Sequence, residues 1–272
     1  MTMPAVLTTD VPRRRRFDWR WQRLTAAGIR VDDLGSETVL AVGYALAYIG
    51  LAAVIPFFIK RFPMPIWGAS DYLQDFSYAV VFKIAFLLVL PWLAFLRLGY
   101  GVDDLVLGWR LRPSTLLAVL VAFAAGASLN LDRATAIGTA LDTLPPAEGL
   151  ERVAAGSLLA LLMAGLPEEI FFRGILQTRL EKSAGRVVAI VVTAVLFTAW
   201  HLPPRLALSH GVEGEAGDLV SVLLGTGGPV LLVGLVLGLA WDRWRNLPAL
   251  IALHWGIDLL PIVSSLLRIP PK

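Results

Sequence analysis

The chain has 272 residues, of which 57% are hydrophobic and 17% are charged. Soluble globular domains average about 45–50% apolar and about 25% charged residues, so this composition favours a membrane protein. The absence of cysteine excludes disulfides, thiolate metal sites and a cysteine nucleophile. The net charge of +3 comes from arginines beside apolar runs, a pattern typical of topogenic charge. The lipid bilayer is therefore the expected partner, and binding to nucleic acid is not expected.

Apolar runs of about twenty residues predict an all-α, polytopic fold with about seven transmembrane helices. Residues 1–36 form a basic segment with interleaved tryptophans, in which 17–30 is predicted to be a short interfacial helix on anionic lipid. Residues 37–272 form a single transmembrane domain. Its predicted spans are 37–59, 72–96, 114–131, 151–182, 185–202, 228–241 and 247–267.

Several details of the connections are also predicted. Residues 132–150 read as an acidic, proline-containing loop, and Pro203 with Pro204 is expected to end the fifth helix. The sixth span is short unless it begins near Leu219 and tolerates the glycines before Pro229. Lys83 lies inside the second span, where a snorkelling role at a helix end is favoured over a role in a site.

The distribution of lysine and arginine predicts the orientation of the chain. With seven spans and a cytoplasmic N-terminus, fifteen of these residues fall on inner segments and seven on outer segments. Cytoplasmic loops carry the excess of such residues, so the N-terminus is predicted inside and the C-terminus outside. The Ala-, Leu- and Arg-rich composition is typical of a GC-rich bacterium, which predicts the bacterial cytoplasmic membrane as the location.

The stretch GLPEEIFFRGIL, residues 165–176, is the most informative part of the sequence. It places Glu168, Glu169 and Arg173 inside a predicted membrane helix, where each charge costs at least about 2.5 kcal/mol. Glu169 and Arg173 are four residues apart, a spacing that favours an ion pair. Glu168 is rotated by about 100° from Glu169 and is predicted to point elsewhere. Intramembrane charges of this kind indicate a functional site.

Two histidines extend this site. His201 ends the fifth helix, and His254 shares a helix face with Asp258 four residues later. Glu168, His201 and His254 are predicted to converge in a buried pocket, with Glu168 as the general base on a water. A histidine would stabilise the developing oxyanion. Without a cysteine or a GxSxG motif, this chemistry predicts hydrolysis of a peptide bond at the membrane.

Other interpretations of the same residues remain open at this stage. The Glu–Arg pair alone is compatible with a structural role, and two histidines with a glutamate are also a ligand set for zinc, although no HExxH helix is present. No cofactor is therefore predicted, with zinc as the alternative. A non-catalytic peptide-binding or immunity factor and a proton-coupled transporter are the competing functions. The absence of an internal repeat disfavours the transporter.

Three motifs resemble one known family. PEEIFFRG matches EExxxR, FTAWH matches FxxxH, and HWGID matches Hxxx[N/D], in the order found in the CPBP family of intramembrane proteases. This family includes CAAX proteases of the Rce1 type, bacteriocin-processing enzymes and Abi proteins. The resemblance covers about residues 100–260. It implies an intramembrane glutamic-type endopeptidase without metal, whose partner is a membrane-associated protein or peptide substrate.

The resemblance also implies a role for each motif residue. Glu168 would activate water with help from His201, while Glu169 and Arg173 would organise the site. His254 and Asp258 would form the oxyanion side, and Phe197 of the FxxxH motif is predicted to contact substrate. An asparagine often stands in CAAX-processing members where this chain has Asp258. That difference favours the broader bacterial branch.

Overall fold

A computed structural model describes residues 34–61, 80–97, 113–207 and 217–268 of the protein. Within these ranges the elements are helices and there is no strand, so the predicted all-α class is confirmed. The predicted interfacial helix over 17–30 lies outside the described residues.

Eight helices are described, and they are numbered here in chain order. They are α1 (Leu34–Arg61), α2 (80–97), α3 (Pro113–Ser128), α4 (Ala134–Asp142), α5 (Pro146–Ala184), α6 (Arg186–Ala207), α7 (Leu219–Trp244) and α8 (Leu247–Leu267). In α5 to α8, four helices are long and apolar enough to cross a membrane, and α3 with α4, bent by 64°, makes a fifth if the pair counts as one span. The multi-pass prediction is thus supported by four to five candidate spans. The number seven stays a prediction.

Two predicted boundaries differ from the structure, and one predicted alternative is confirmed. Residues 132–150 are not a loop, because they contain α4 and the first turn of α5. The helix α6 continues through Pro203 and Pro204 to Ala207. Proline lacks an N–H, but its fixed φ is helical, so the last turn keeps its backbone conformation at the expense of hydrogen bonds. The alternative start of the sixth span at Leu219 is confirmed.

Proline also explains three of the wide π-helical turns in the bundle. These turns are Ile84–Val89, Leu161–Gly165 and Leu223–Gly227. Each is followed by one residue and then by a proline, at Pro91, Pro167 and Pro229. A proline cannot donate to the carbonyl four residues before it and crowds that carbonyl. The preceding N–H instead bonds five residues back, from Leu166 to Leu161 for example, which widens the turn without breaking the helix.

The helix α8 lies at the centre of the described bundle and has its most extensive contact with α3. At their crossing, a Cβ on Gly126 would lie 2.1 Å from the carbonyl oxygen of Leu253. A Cβ on Gly256 would lie 2.3 Å from that of Phe123. Only glycine permits this approach of the two backbones. The contact fixes the depth of α8, which carries His254 and Asp258.

The outer faces of the bundle are apolar. Exposed leucines and valines cover α3 and α7, including Leu116, Leu117, Leu120, Leu232, Val236 and Leu239. A soluble protein does not expose large contiguous apolar patches of this kind, whereas a membrane protein presents them to lipid. The described helices therefore support an integral membrane protein with its polar residues inside.

Candidate active site

The helix α5 places an ion pair in the centre of the bundle. A guanidinium nitrogen of Arg173 lies 2.8 Å from Oε1 of Glu169, and both side chains are fully buried. This confirms the predicted Glu169–Arg173 contact. The second terminal nitrogen of Arg173 donates to the carbonyl oxygen of Gly234 at 3.2 Å, and the guanidinium stacks 4.4 Å from the ring centroid of Phe197. Arg173 thus joins α5 to α6 and α7.

Glu168 forms an ion pair with Lys83, a residue for which the sequence had favoured a position at the membrane interface. Nζ of Lys83 on α2 lies 2.6 Å from Oε1 of Glu168. Lys83 is only 3% exposed, so the prediction that it snorkels to the interface is wrong. Glu168 does point away from the Glu169–Arg173 pair, as predicted, and its partner there is Lys83. The two side chains meet because α2 packs against the start of the π-helical stretch Glu169–Gln177.

His254 of α8 connects the two glutamates. Its Nδ1 lies 2.7 Å from Oε1 of Glu169, and its Nε2 lies 3.9 Å from Oε2 of Glu168. Asp258 shares its helix face, as predicted, with Oδ2 at 3.6 Å from Nε2 of His254. Because a carboxylate that pairs with a guanidinium accepts hydrogen bonds, we assign Nδ1–H of His254 as the donor in the short hydrogen bond. The Nε2 atom therefore faces the two remaining carboxylates.

His201 of α6 packs against Phe197, the aromatic ring that also contacts His254. Its Nδ1 is 2.6 Å from the carbonyl oxygen of Phe197, which can only accept, so Nδ1 carries the proton. The ring centroid of Phe197 lies 4.8 Å from that of His201 and 5.9 Å from that of His254. The structure thus brings both histidines against one buried phenylalanine.

Trp200 completes the contacts between these groups. Its ring centroid lies 3.9 Å from that of His201 and 4.4 Å from Nζ of Lys83. The Lys83–Glu168 pair and His201 are therefore neighbours of the same indole. Among the described residues, no three histidine, aspartate or glutamate side chains form an arrangement that could hold a metal ion.

The family assignment agrees with this geometry. Residues 151–260 match the family model described as Type II CAAX prenyl endopeptidase Rce1-like. This region is Rce1-like. The resemblance indicated by the three motifs is thereby confirmed, and the family is one of proteases. No curated protein and no solved structure matches the chain.

The Rce1-like region contains every site residue predicted from the motifs, on α5, α6 and α8. Lys83 lies outside that region, on α2. The sequence did contain a signal for it, because a lysine inside an apolar span is a functional-site candidate by default. What the sequence lacked was any indication of which charge Lys83 contacts. The side chain of Phe197 is buried, with 1% of its surface exposed, and its role in substrate contact stays a prediction.

Proposed function

We propose that the protein is an intramembrane endopeptidase in which Glu168 activates a water. The substrate is a peptide bond of a membrane-associated protein or of a peptide with a hydrophobic tail. One observation carries this proposal: Oε2 of Glu168 and Nε2 of His254 face each other across 3.9 Å in a buried cluster. The match of the surrounding region to a protease family supports it.

The separation of 3.9 Å suits a bridging water. It is too long for a direct hydrogen bond, and a polar contact of this length between buried groups is commonly bridged by a solvent molecule. In the proposed first step Glu168 takes a proton from this water while the water oxygen attacks the scissile carbonyl carbon. Glu168 then gives the proton to the leaving amine as the carbon–nitrogen bond breaks. General acid–base catalysis of this kind contributes about 10²–10⁴-fold to a rate.

His254 is proposed to stabilise the oxyanion. Three carboxylates lie within 3.9 Å of its ring, so its imidazolium form has acidic partners on both nitrogens. Its Nδ1–H continues to donate a hydrogen bond to Glu169, and its Nε2–H donates to the carbonyl oxygen of the scissile bond, which becomes negative. Removing one donor from an oxyanion site costs about 10²–10³-fold in kcat in other enzymes. Asp258, which is 28% exposed on its side chain, lies at the open edge of this arrangement.

His201 is proposed to hold the attacking water together with Glu168. Its Nδ1–H bond to the Phe197 carbonyl fixes the tautomer in which Nε2 accepts a hydrogen bond. Phe197 packs against both histidines and is proposed to contact the substrate when the site opens. No metal is required for these steps, and the chelator in the test below addresses the zinc alternative.

We further propose seven crossings of the cytoplasmic membrane of a bacterium, with the N-terminus inside. They are made by α1, α2, the bent pair of α3 and α4, and α5 to α8. The two shorter apolar helices, Thr38–Val54 and Val80–Ala94, support this count because both pack on the membrane-length helices. A crossing by α2 would also explain why a lysine in its first turn faces inward rather than toward lipid.

The test is proteolysis by the detergent-solubilised protein on quenched-fluorescence peptides. The panel contains prenylated and unprenylated C-terminal CAAX peptides and peptides that end in an apolar helix. We expect wild type to cleave at least one peptide, Glu168→Ala to lower kcat by about 10²-fold or more, and a chelator to have no effect. Loss of activity on chelation would favour the zinc enzyme. Cleavage that survives Glu168→Ala would contradict the assignment of the base, and binding of a peptide without cleavage would favour the non-catalytic function.

A further inference from the structure

Lys83 carries an inference beyond the residues assigned above. We propose that Lys83 is a positioning residue of the peptidase, which holds Glu168 in its ionised form and directs its second oxygen toward His254. The inference rests on the proposed function, since it concerns the base of that reaction. It also places part of the catalytic machinery on α2, outside the Rce1-like region.

The first argument concerns charge. Glu168 and Glu169 are adjacent and are 1% and 0% exposed, so bulk water does not hydrate either carboxylate. Arg173 is bonded to Glu169 and to a backbone carbonyl on α7. A second buried carboxylate without its own cation would take up a proton. A protonated Glu168 cannot accept a proton from water. The ammonium of Lys83, 2.6 Å from Oε1, therefore stabilises the ionised form that the base needs, in addition to the imidazolium of His254 at 3.9 Å.

The second argument concerns geometry. Nζ of Lys83 donates a hydrogen bond to Oε1 of Glu168 at 2.6 Å. The same atom lies 4.4 Å from the ring centroid of Trp200. The lysine comes directly before the π-helical turn Ile84–Val89, which widens α2 ahead of Pro91. With Oε1 fixed by Lys83, the carboxylate presents Oε2 to Nε2 of His254. The lysine thus determines which oxygen is used in the reaction.

The experiment measures kcat and KM for Lys83→Met, Lys83→Gln and Lys83→Arg on the panel peptide that wild type cleaves fastest. We expect Lys83→Met and Lys83→Gln to lower kcat by about 100-fold, within the range for loss of a general base, and to change KM by less than about three-fold. Lys83→Arg keeps the positive charge, and we expect it to recover at least about a tenth of the wild-type kcat. Lys83→Gln keeps an N–H donor for Glu168, so it separates the loss of charge from the loss of a hydrogen bond.

The matched control is Lys182→Met, the same chemical change in the last turn of α5, for which we expect wild-type kinetics. Helical content by circular dichroism and the elution volume in detergent identify any variant that does not fold. If Lys83→Met misfolds, Lys83→Gln decides. A folded uncharged variant with kcat within three-fold of wild type overturns the inference while the proposed function stands. So does a folded Lys83→Arg that is as inactive as Lys83→Met. A wild-type protein that cleaves no peptide overturns the proposed function and the role of Lys83 together.

Discussion

The buried charges of the site stabilise the protein only as pairs. Taking one charge out of water costs several kcal/mol, and removing its partner from a buried ion pair destabilises a protein by about 3–5 kcal/mol. Arg173 and Glu169 are both fully buried at 2.8 Å. We therefore expect Arg173→Met to lower the free energy of unfolding by about 3–5 kcal/mol. The double variant with Glu169→Gln removes both charges, and we expect it to regain most of that loss.

This double-mutant cycle has a matched control in the same helix. Arg152 and Glu148 of α5 are also four residues apart, at 2.5 Å, but their side chains are 13% and 28% exposed. We expect Arg152→Met to cost about 1–2 kcal/mol. Partial exposure weakens the ion pair, and the variant also loses the hydrogen bond from Arg152 to the carbonyl oxygen of Leu266 at 3.1 Å. Denaturant unfolding in detergent micelles, followed by tryptophan fluorescence, measures each value. If Arg173→Met lowers the free energy of unfolding by no more than Arg152→Met does, the buried pair does not stabilise the protein as a unit.

At the scale of whole elements, the crossing of α3 and α8 holds half of the site in place. A methyl group on Gly126 would overlap the backbone of Leu253, and one on Gly256 would overlap that of Phe123. Since backbone cannot move as easily as a side chain, we expect each Gly→Ala change to destabilise the protein by about 1–3 kcal/mol or more. Separation of the helices would also move His254, two residues from Gly256. We therefore expect kcat to fall as well.

Gly138→Ala in α4 is the control for this prediction, because a Cβ there meets nothing within 4 Å. Alanine is favoured over glycine in a helix by about 0.5–1 kcal/mol, so this variant is expected to be neutral or slightly more stable. Thermal unfolding in detergent and peptide cleavage are the two measurements. If Gly126→Ala and Gly256→Ala behave like Gly138→Ala, the two backbones do not approach as closely as described.

The sequence predicted most of the helices because apolar length is a local property of the chain. It did not predict how prolines act in them. Pro167 and Pro229 widen a turn and leave the helix continuous, while Pro203 and Pro204 lie inside the last turn of α6. A proline in a sequence shows that a hydrogen bond is lost, but the packing around it decides whether the helix bends, widens or ends.

The site was predictable where its contacts lie within one helix. The spacing of Glu169 with Arg173 and of His254 with Asp258 fixes two pairs on common helix faces. Contacts between helices were not predictable in the same way. The bond of Lys83 to Glu168 spans 85 positions of the chain and depends on how α2 packs against α5. A lysine that snorkels and a lysine that pairs with a buried acid have the same local sequence.

At the scale of the whole molecule, the number of crossings decides on which side each end of the chain lies. Seven crossings place residues 1–36 and residue 272 on opposite sides of the membrane, whereas four or six crossings place them on the same side. The described helices supply four to five candidate spans and two shorter apolar helices. The excess of lysine and arginine on the predicted inner segments supports seven crossings with residues 1–36 inside.

The chain offers a direct measurement of this topology, because it contains no cysteine. Single cysteines at Thr8→Cys and Lys272→Cys are treated in intact spheroplasts with a membrane-impermeant maleimide. We expect position 272 to react at once and position 8 to react only after permeabilisation. Leu239→Cys, on the exposed apolar face of α7, is the control for a site in lipid and is expected to react in neither state. Equal labelling of positions 8 and 272 would require an even number of crossings. In that case one of the helices α1 to α4 would lie in the membrane without spanning it. If that helix is α2, its inward lysine would enter the site from a re-entrant helix.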